Sequence, residues 1–434
     1  MNLLYSNDHK GKYPASWYAA TCRFLPEQSE LVCSINADVC VIGAGYTGLS
    51  AAVHLVKAGF HVVILEAQRI GFGASGRNGG QLGSGQRRSQ RDLINMTDKD
   101  TAKLLWDFSE DSKDTITGLI KEHKIECYLK KGIAHLGFNR KEMQELHYEA
   151  EFLAENYNYQ KIEKLEEDQA ANLCPSPAYH GGTLDKGAFH LHPLRLAVGL
   201  ARVAHNAGAL IYEKTEVLAV HEGPKTIVKT RCGSVTCEHV VVACNGYIGN
   251  LSNSISKRVM PINNFVVATE PIDEIDRKVL SKDIAVADTK FVVNYFRKSH
   301  DGRLIFGGGE NYSYRFPKNI EATVRRPMLE IFPHLKNVKI EYAWGGTLAI
   351  TMRRMPYFRK LGQTIYSASG YSGHGVGMAG LAGKLISRAI EGDTQGFDVF
   401  AKLPSLPFPG GRYCRYPLLV LAMSWYATRD RFGI

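Results

Sequence analysis

Apolar and polar positions fall into three patterns along the chain. Val39 to Ile42 is an uninterrupted apolar run and reads as a strand buried on both faces; Val62 to Leu65 reads as a second. Between them Leu49, Ala52, Val53 and Val56 recur at helical spacing, and Ala58-Gly59 ends that helix. The α/β rhythm returns after residue 186. A helix over 193–206 precedes short strands at 210–212 and 216–220, and a buried strand from His239 stops on Gly246. Over 261–342 the period becomes two, in 264–269, 291–296 and 303–306, which predicts an antiparallel sheet with one solvated or ligand-facing side. Helix 321–332 interrupts it, and 101–123 and 140–156 read as covering helices. A last strand from Gln363 feeds a glycine loop, 370–377, that opens a small-residue helix.

These elements predict an α/β fold with α+β elements. A Rossmann-like dinucleotide-binding domain is interleaved with an antiparallel-sheet domain that covers it and holds substrate. At 434 residues the chain exceeds what one core serves. We assign 1–36 to an N-terminal arm whose aromatic stretch Tyr13 to Tyr18 packs on the body. Segments 37–85, 186–255 and 345–400 form the dinucleotide domain, 86–185 and 256–344 the substrate domain, and 401–434 a tail.

Composition narrows the classes. The chain carries nine cysteines, scattered and without C-x-x-C or Cys/His ligand spacing, so reduced thiols and no metal are expected. The net charge of +10 is dispersed, which argues against a nucleic-acid surface. No signal segment and no apolar run of transmembrane length is present, and a cytoplasmic location is expected. The apolar run 417–426 is expected to pack against the body.

The chemistry begins at Gly43, Gly45 and Gly48, a G-x-G-x-x-G set between strand and helix. Gly43 turns the chain, Gly45 lets backbone approach a pyrophosphate, and Gly48 lets the helix lie close on the sheet. Free N–H groups near Tyr46, Thr47 and Gly48 suit a diphosphate, and Glu66, at the end of the second strand, suits a ribose diol. Seven of the fifteen residues from Gly71 to Gly85 are glycine. That density excludes regular structure and suits close approach to a flat ligand, with Ser75, Arg77, Asn78 and Gln81 offering hydrogen bonds. Close helix packing explains Gly377, Gly380 and Gly383, but not Ser372-Gly-His-Gly375 ahead of the helix, where a second helix N-terminus can stabilise negative charge.

Four separated stretches carry a family resemblance: 43–66, 71–82, Ala243-Cys-Asn-Gly246 and Gly370-Tyr-Ser-Gly-His-Gly375. In order and spacing they resemble the D-amino-acid oxidase-like FAD-dependent oxidoreductases. Arg69 to Leu82, Ser369 to Gly375 and Pro407 to Arg412 are most like the gamma-glutamylputrescine oxidase branch. The resemblance implies non-covalent FAD. Gly43, Gly45 and Gly48 would hold the pyrophosphate, Glu66 the ribose and the Val217 backbone the adenine. Ala74, Ser75, Arg77, Asn78, Gly79, Gly80 and Gln81 would wrap the pyrophosphate and flavin edge. Ala243 and Gly246, with Gly370, Gly373 and Gly375, would touch the cofactor from the other side.

It also implies a primary amine as substrate, oxidised to an aldehyde with ammonia and peroxide, and oxygen or another acceptor as partner. Tyr295, Trp344, Phe306 and Tyr371 are candidates for an aromatic pocket, His374 for the flavin loop, and Arg354, with Arg297 behind it, for a remote substrate carboxylate. Two departures matter. Where glycine-oxidising members carry the arginine for an α-carboxylate, this chain has Thr347. Where sarcosine-oxidising members set a lysine over the flavin, it has Ile305. A dehydrogenase delivering electrons to a quinone, and a flavin-dependent RNA-modifying enzyme, are the alternatives.

Overall fold

A computed structural model describes residues 2–272, 278–311, 313–411 and 417. Strand β1 (Val39–Ile42), helix α1 (Tyr46–Lys57) and strand β2 (Val62–Leu65) form where the periodicity puts them, and every residue of both strands is buried. β1 lies between β2 and His239–Val242, parallel to both. Leu210–Tyr212 extends the sheet beyond β2; Ile365–Ser369 and the antiparallel Tyr357–Leu361 extend it the other way. The parallel strands therefore open at a common carboxyl edge, where such sheets bind ligands.

Helix α2 (Gly375–Glu391) lies against α1. A Cβ on Gly383 would stand 2.5 Å from the Thr47 carbonyl oxygen and the Ala51 nitrogen, so only glycine permits this approach. On its other side Gly380 faces Ile116 of helix Lys99–Glu122. The largest core cluster fills this helical layer and runs under the parallel sheet. The sheet's opposite face packs on a small four-stranded sheet that includes Ser34–Asn36 and Thr226–Lys229.

The second large sheet has nine strands among the described residues. It is mixed rather than antiparallel throughout, because Ala285–Asp288 pairs in parallel with Lys130–Leu136. Three of its strands, Lys130–Leu136, Ile162–Leu165 and Gly182–His190, lie between and after the covering helices, where the pattern predicts no strand. Their alternation is broken: Gly132, at φ +106°, bulges the first between Lys131 and Ile133. The strand expected at 291–296 is Tyr295–Lys298, since Asn294 is drawn off to bond Asp288. Gly307 to Gly309 lie inside strand Arg303–Asn311; a side chain on Gly307 would collide with the Tyr295 ring. Strand Ile340–Ile350 runs through residue 345, where the domain division was set.

The N-terminal arm crosses both sheets. Trp17 and Tyr18 are buried, the Trp17 indole donating to Asp301 at 3.0 Å. Tyr5 donates to Glu216 at 2.7 Å, Asn7 to the Tyr314 carbonyl at 2.9 Å, and the Gln68 amide to the Leu4 carbonyl at 2.6 Å. Among the described residues no helix is long and apolar enough to cross a membrane. The 417–426 run lies outside the described residues except for residue 417.

Candidate active site

A cavity of about 760 Å³ runs from the carboxyl edge of the parallel sheet to the face of the mixed sheet. At its first end stands the glycine unit. Gly43, at φ +106°, adopts the left-handed turn, and a Cβ there would reach 2.9 Å from the Ala243 carbonyl. A Cβ on Gly48 would run into the Gly43 carbonyl, so this glycine closes the turn and does not itself line the cavity. Gly45, Tyr46 and Thr47 do line it.

Helix ends distinguish this region. Of the six described helices of twelve residues or more, four have a side chain capping the first turn: Asp98, Asn139, His192 and Asn319. The two without one are α1 and α2. Neither has an acidic residue in its first turn, and both open on the cavity. Two positive helix poles thus converge with no N-cap side chain and no acidic residue in the first turn; only the Ser75 hydroxyl takes an N–H, that of Tyr46.

Glu66 lies on the cavity wall. Its carboxyl accepts from the backbone N–H of Ala44 and of Gln68, each at 2.8 Å. Burial pushes it up to about 7 against the pull of those donors. Val217 lines the cavity nearby, beside Thr215 and Glu216. No hydrogen bond to the Val217 backbone forms among the described residues.

The loop after β2 splits into wall and scaffold. Ala74, Ser75, Asn78, Gly79 and Gln81 line the cavity. Ser75 accepts from the Tyr46 N–H at 2.9 Å, Asn78 donates to the Ala74 and Ser75 carbonyls, and Gln81 donates to Val286. Gly80 is packed against the Leu191 carbonyl instead. The Arg77 side chain points away from the cavity: it donates to the Phe72 and Gly345 carbonyls and pairs with Asp8 at 3.0 Å, almost wholly buried. Trp344 is likewise removed, its indole donating to the Arg77 carbonyl at 3.1 Å. The two pin the glycine loop to the mixed sheet. Phe306 is a core ring stacked on Phe296.

Opposite, Ala243, Gly373, His374 and Gly375 line the cavity. Gly246 and Gly370 support it from behind: Gly246 abuts the Leu348 carbonyl, and the Gly370 N–H donates to Asn245 at 2.9 Å. Ser372 and Gly373 both take positive φ, the tight course that aims the start of α2 inward. Tyr371 exchanges a 2.6 Å hydrogen bond with Thr47, joining the two loops. The His374 Nδ1 is buried without a partner. Burial, then Arg87 and His135, push this imidazole down to about 3, so it is neutral and a feeble proton acceptor.

At the far end the side chains dominate. Tyr295 lines the cavity with its ring over Gly79 and Gly307 and its hydroxyl on Asn264. Arg354 lines it at φ +61°, its guanidinium 5.6 Å from the Phe291 ring centre. Arg297 does not reach it; that guanidinium holds the Gly79 carbonyl at 3.0 Å. Thr347 is buried, bonds Asn263 at 2.8 Å and does not line the cavity. Ile305 is core.

Three residues here escaped the sequence reading: Arg87, His135 and Asp288. Asp288 accepts from the Asn294 backbone and side chain and is pushed up to about 7, chiefly by burial. None sits in a motif.

A dinucleotide fits what the first end offers: a glycine cradle, two uncapped helix poles, an unpaired imidazole nitrogen and a carboxyl at a strand end. Comparison with known proteins agrees. Residues 38–389 match the FAD dependent oxidoreductase (DAO) family. The chain is 39% identical to gamma-glutamylputrescine oxidoreductase of Escherichia coli K12 over 425 residues, covering 98% of this chain and all of that one. It is 40% identical over 418 residues to a probable oxidoreductase, OrdL, of Rhizobium meliloti, covering 96% and 97%. The fold overlays glycine oxidase of Geobacillus kaustophilus with a TM-score of 0.70 at 21% identity, covering 82% of this chain and 95% of that one.

Proposed function

The chain belongs to the DAO family of FAD-dependent oxidoreductases, and from that premise we propose that it is an amine oxidase acting on a primary amine with a distant carboxylate, of the gamma-glutamylputrescine kind. The products are an aldehyde, ammonia and hydrogen peroxide. The observation that carries the substrate class is Thr347. By the resemblance, glycine-oxidising members carry the arginine for an α-carboxylate where this chain has Thr347, a buried, neutral side chain bonded to Asn263, so a carboxylate next to the oxidised carbon would lack that anchor. The gamma-glutamylputrescine oxidoreductase similarity supports the same reading.

FAD, when bound, supplies the acceptor for the substrate hydride and passes the electrons to oxygen. The chain's own residues bind, orient and desolvate. Gly43 and Gly45 leave backbone within reach of the pyrophosphate, with the first turn of α1 facing it. Glu66 takes the ribose hydroxyls and Val217 the adenine edge. Gly373 to Gly375 would hold the flavin ring, where the positive pole of α2 would favour negative charge. Tyr295 and Tyr371 wall an apolar space that disfavours an ammonium ion, so the substrate nitrogen sheds its proton on entry. His374, with its pKa lowered, leaves that proton to the substrate's own equilibrium. Non-covalent attachment predicts that acid precipitation leaves all the yellow colour in the supernatant.

The test is peroxide release from gamma-glutamylputrescine, putrescine, glycine and sarcosine without an added acceptor. We expect the glutamylated amine to lead. Faster turnover of glycine or sarcosine would overturn the substrate class; flavin bleaching by amine with no oxygen uptake would favour the quinone-coupled alternative.

A further inference from the structure

The cavity wall holds a cation that the fold leaves unpaired. Arg87 follows strand Gln81–Leu82, and its guanidinium makes no hydrogen bond or ion pair among the described residues. Its neighbours are all engaged. Arg77 has Asp8 and two carbonyls, Arg88 has Asp92 and the Arg353 carbonyl, and Arg91 has Glu149. The Arg87 side chain is exposed and lines the cavity rather than packing in the core.

The surroundings favour an anion. His135, on strand Lys130–Leu136, and His374, before α2, both feel the Arg87 charge and are held neutral, chiefly by burial. The nearest cavity carboxyl, Asp288, spends its oxygens on Asn294 and on the Lys290 N–H. Asp185 acts on His135 but is bound by Tyr159 and the Gly187 N–H. A guanidinium on a cavity wall with no partner of its own keeps all its donors for an incoming anion, and its planar fork matches a carboxylate.

Resting on the amine-oxidase reading above, we infer that Arg87 is the specificity-determining residue, binding the substrate's remote carboxylate at the cavity wall. This puts the anchor on the segment after the glycine loop rather than at Arg354, which lines the same cavity against Phe291.

The experiment compares wild type, Arg87→Gln, Arg87→Lys and Arg354→Gln, each first checked for full FAD content. We expect Arg87→Gln to raise KM for gamma-glutamylputrescine roughly ten- to a hundred-fold with kcat little changed, and to leave putrescine kinetics within about twofold. Arg87→Lys should recover part of the loss. Glutarate, a dicarboxylate without an amine, should perturb the visible flavin spectrum of wild type and not of Arg87→Gln. Equal losses on both amines, loss of FAD, or a selective loss in Arg354→Gln with Arg87→Gln silent would each overturn the assignment. Failure of the reading beneath it looks different: wild type then oxidises neither amine, and the glutarate titration still decides whether Arg87 holds a carboxylate.

Discussion

The two ends of the cavity are made of different material. At the end we assign to the cofactor, the working groups are backbone: glycines in left-handed turns, two uncapped helix poles, and a carboxyl, Glu66, held by backbone N–H groups. At the substrate end they are side chains, Tyr295, Arg87, His135 and Asp288, carried on separate segments. Backbone recognition tolerates no added atom but makes few demands on nearby side chains. Side-chain recognition can be retuned one residue at a time. A family that keeps its cofactor while changing its amine needs this division.

The largest expected effect is at the backbone end. A Cβ on Gly45 meets only the Ser75 hydroxyl, at 3.0 Å, so Gly45→Val should fold. It should nevertheless purify colourless, because the added methyls occupy the pyrophosphate approach; a yellow variant with an ordinary flavin spectrum would refute the assignment. Next comes the pin between the two ends. Asp8→Ala strands the buried Arg77, at a cost of about 3–5 kcal/mol. Thermal unfolding should show that loss, and FAD should leave faster; if stability falls while FAD retention is untouched, the pin serves the fold alone.

The smallest effect sharpens the comparison through pH. Glu66 and Asp288, one at each end, are both raised from their ordinary 4.5 and 3.8 to about 7. Between those values the folded chain keeps protons that the unfolded chain has released. Their ionisation therefore erodes stability as pH climbs toward 7, and the loss is complete above it. In the cofactor-free protein, Glu66→Gln should raise the melting temperature at pH 8 by about a degree or two relative to its effect at pH 5. The same shift at both pH values would show that the Glu66 carboxyl is not raised.

This division also explains what could be read from sequence. The backbone end is local: 43–66 and 370–375 are continuous, and a motif of glycines states both geometry and purpose. The parallel sheet followed from the same runs. The substrate end is assembled from Arg87, His135, Asp288 and Tyr295, which no spacing connects. His135 and Asp288 become neighbours only because Ala285–Asp288 lies parallel to Lys130–Leu136, a pairing hidden by the bulge at Gly132. Arg77, Trp344 and Arg297 misled for the converse reason. Arg77 sits within the glycine loop and Trp344 and Arg297 on strands of the mixed sheet, yet all three side chains turn to brace the loop.

The N-terminal arm has a kinetic consequence. Its anchors are remote in sequence: Asn7 reaches Tyr314, 307 residues on, Trp17 reaches Asp301, 284 on, and Tyr5 reaches Glu216, 211 on. Such contacts close only after the strands that carry them exist, so the arm is the last part to dock. Asn2 and Leu4 also line the cavity, which makes the arm a late-closing door at the end that holds Glu66 and Val217. Opening it leaves both sheets intact, and hydrogen exchange should find residues 2–12 releasing their amides well before β1 and β2. Cofactor exchange then follows the arm's own local unfolding rate rather than that of the whole protein.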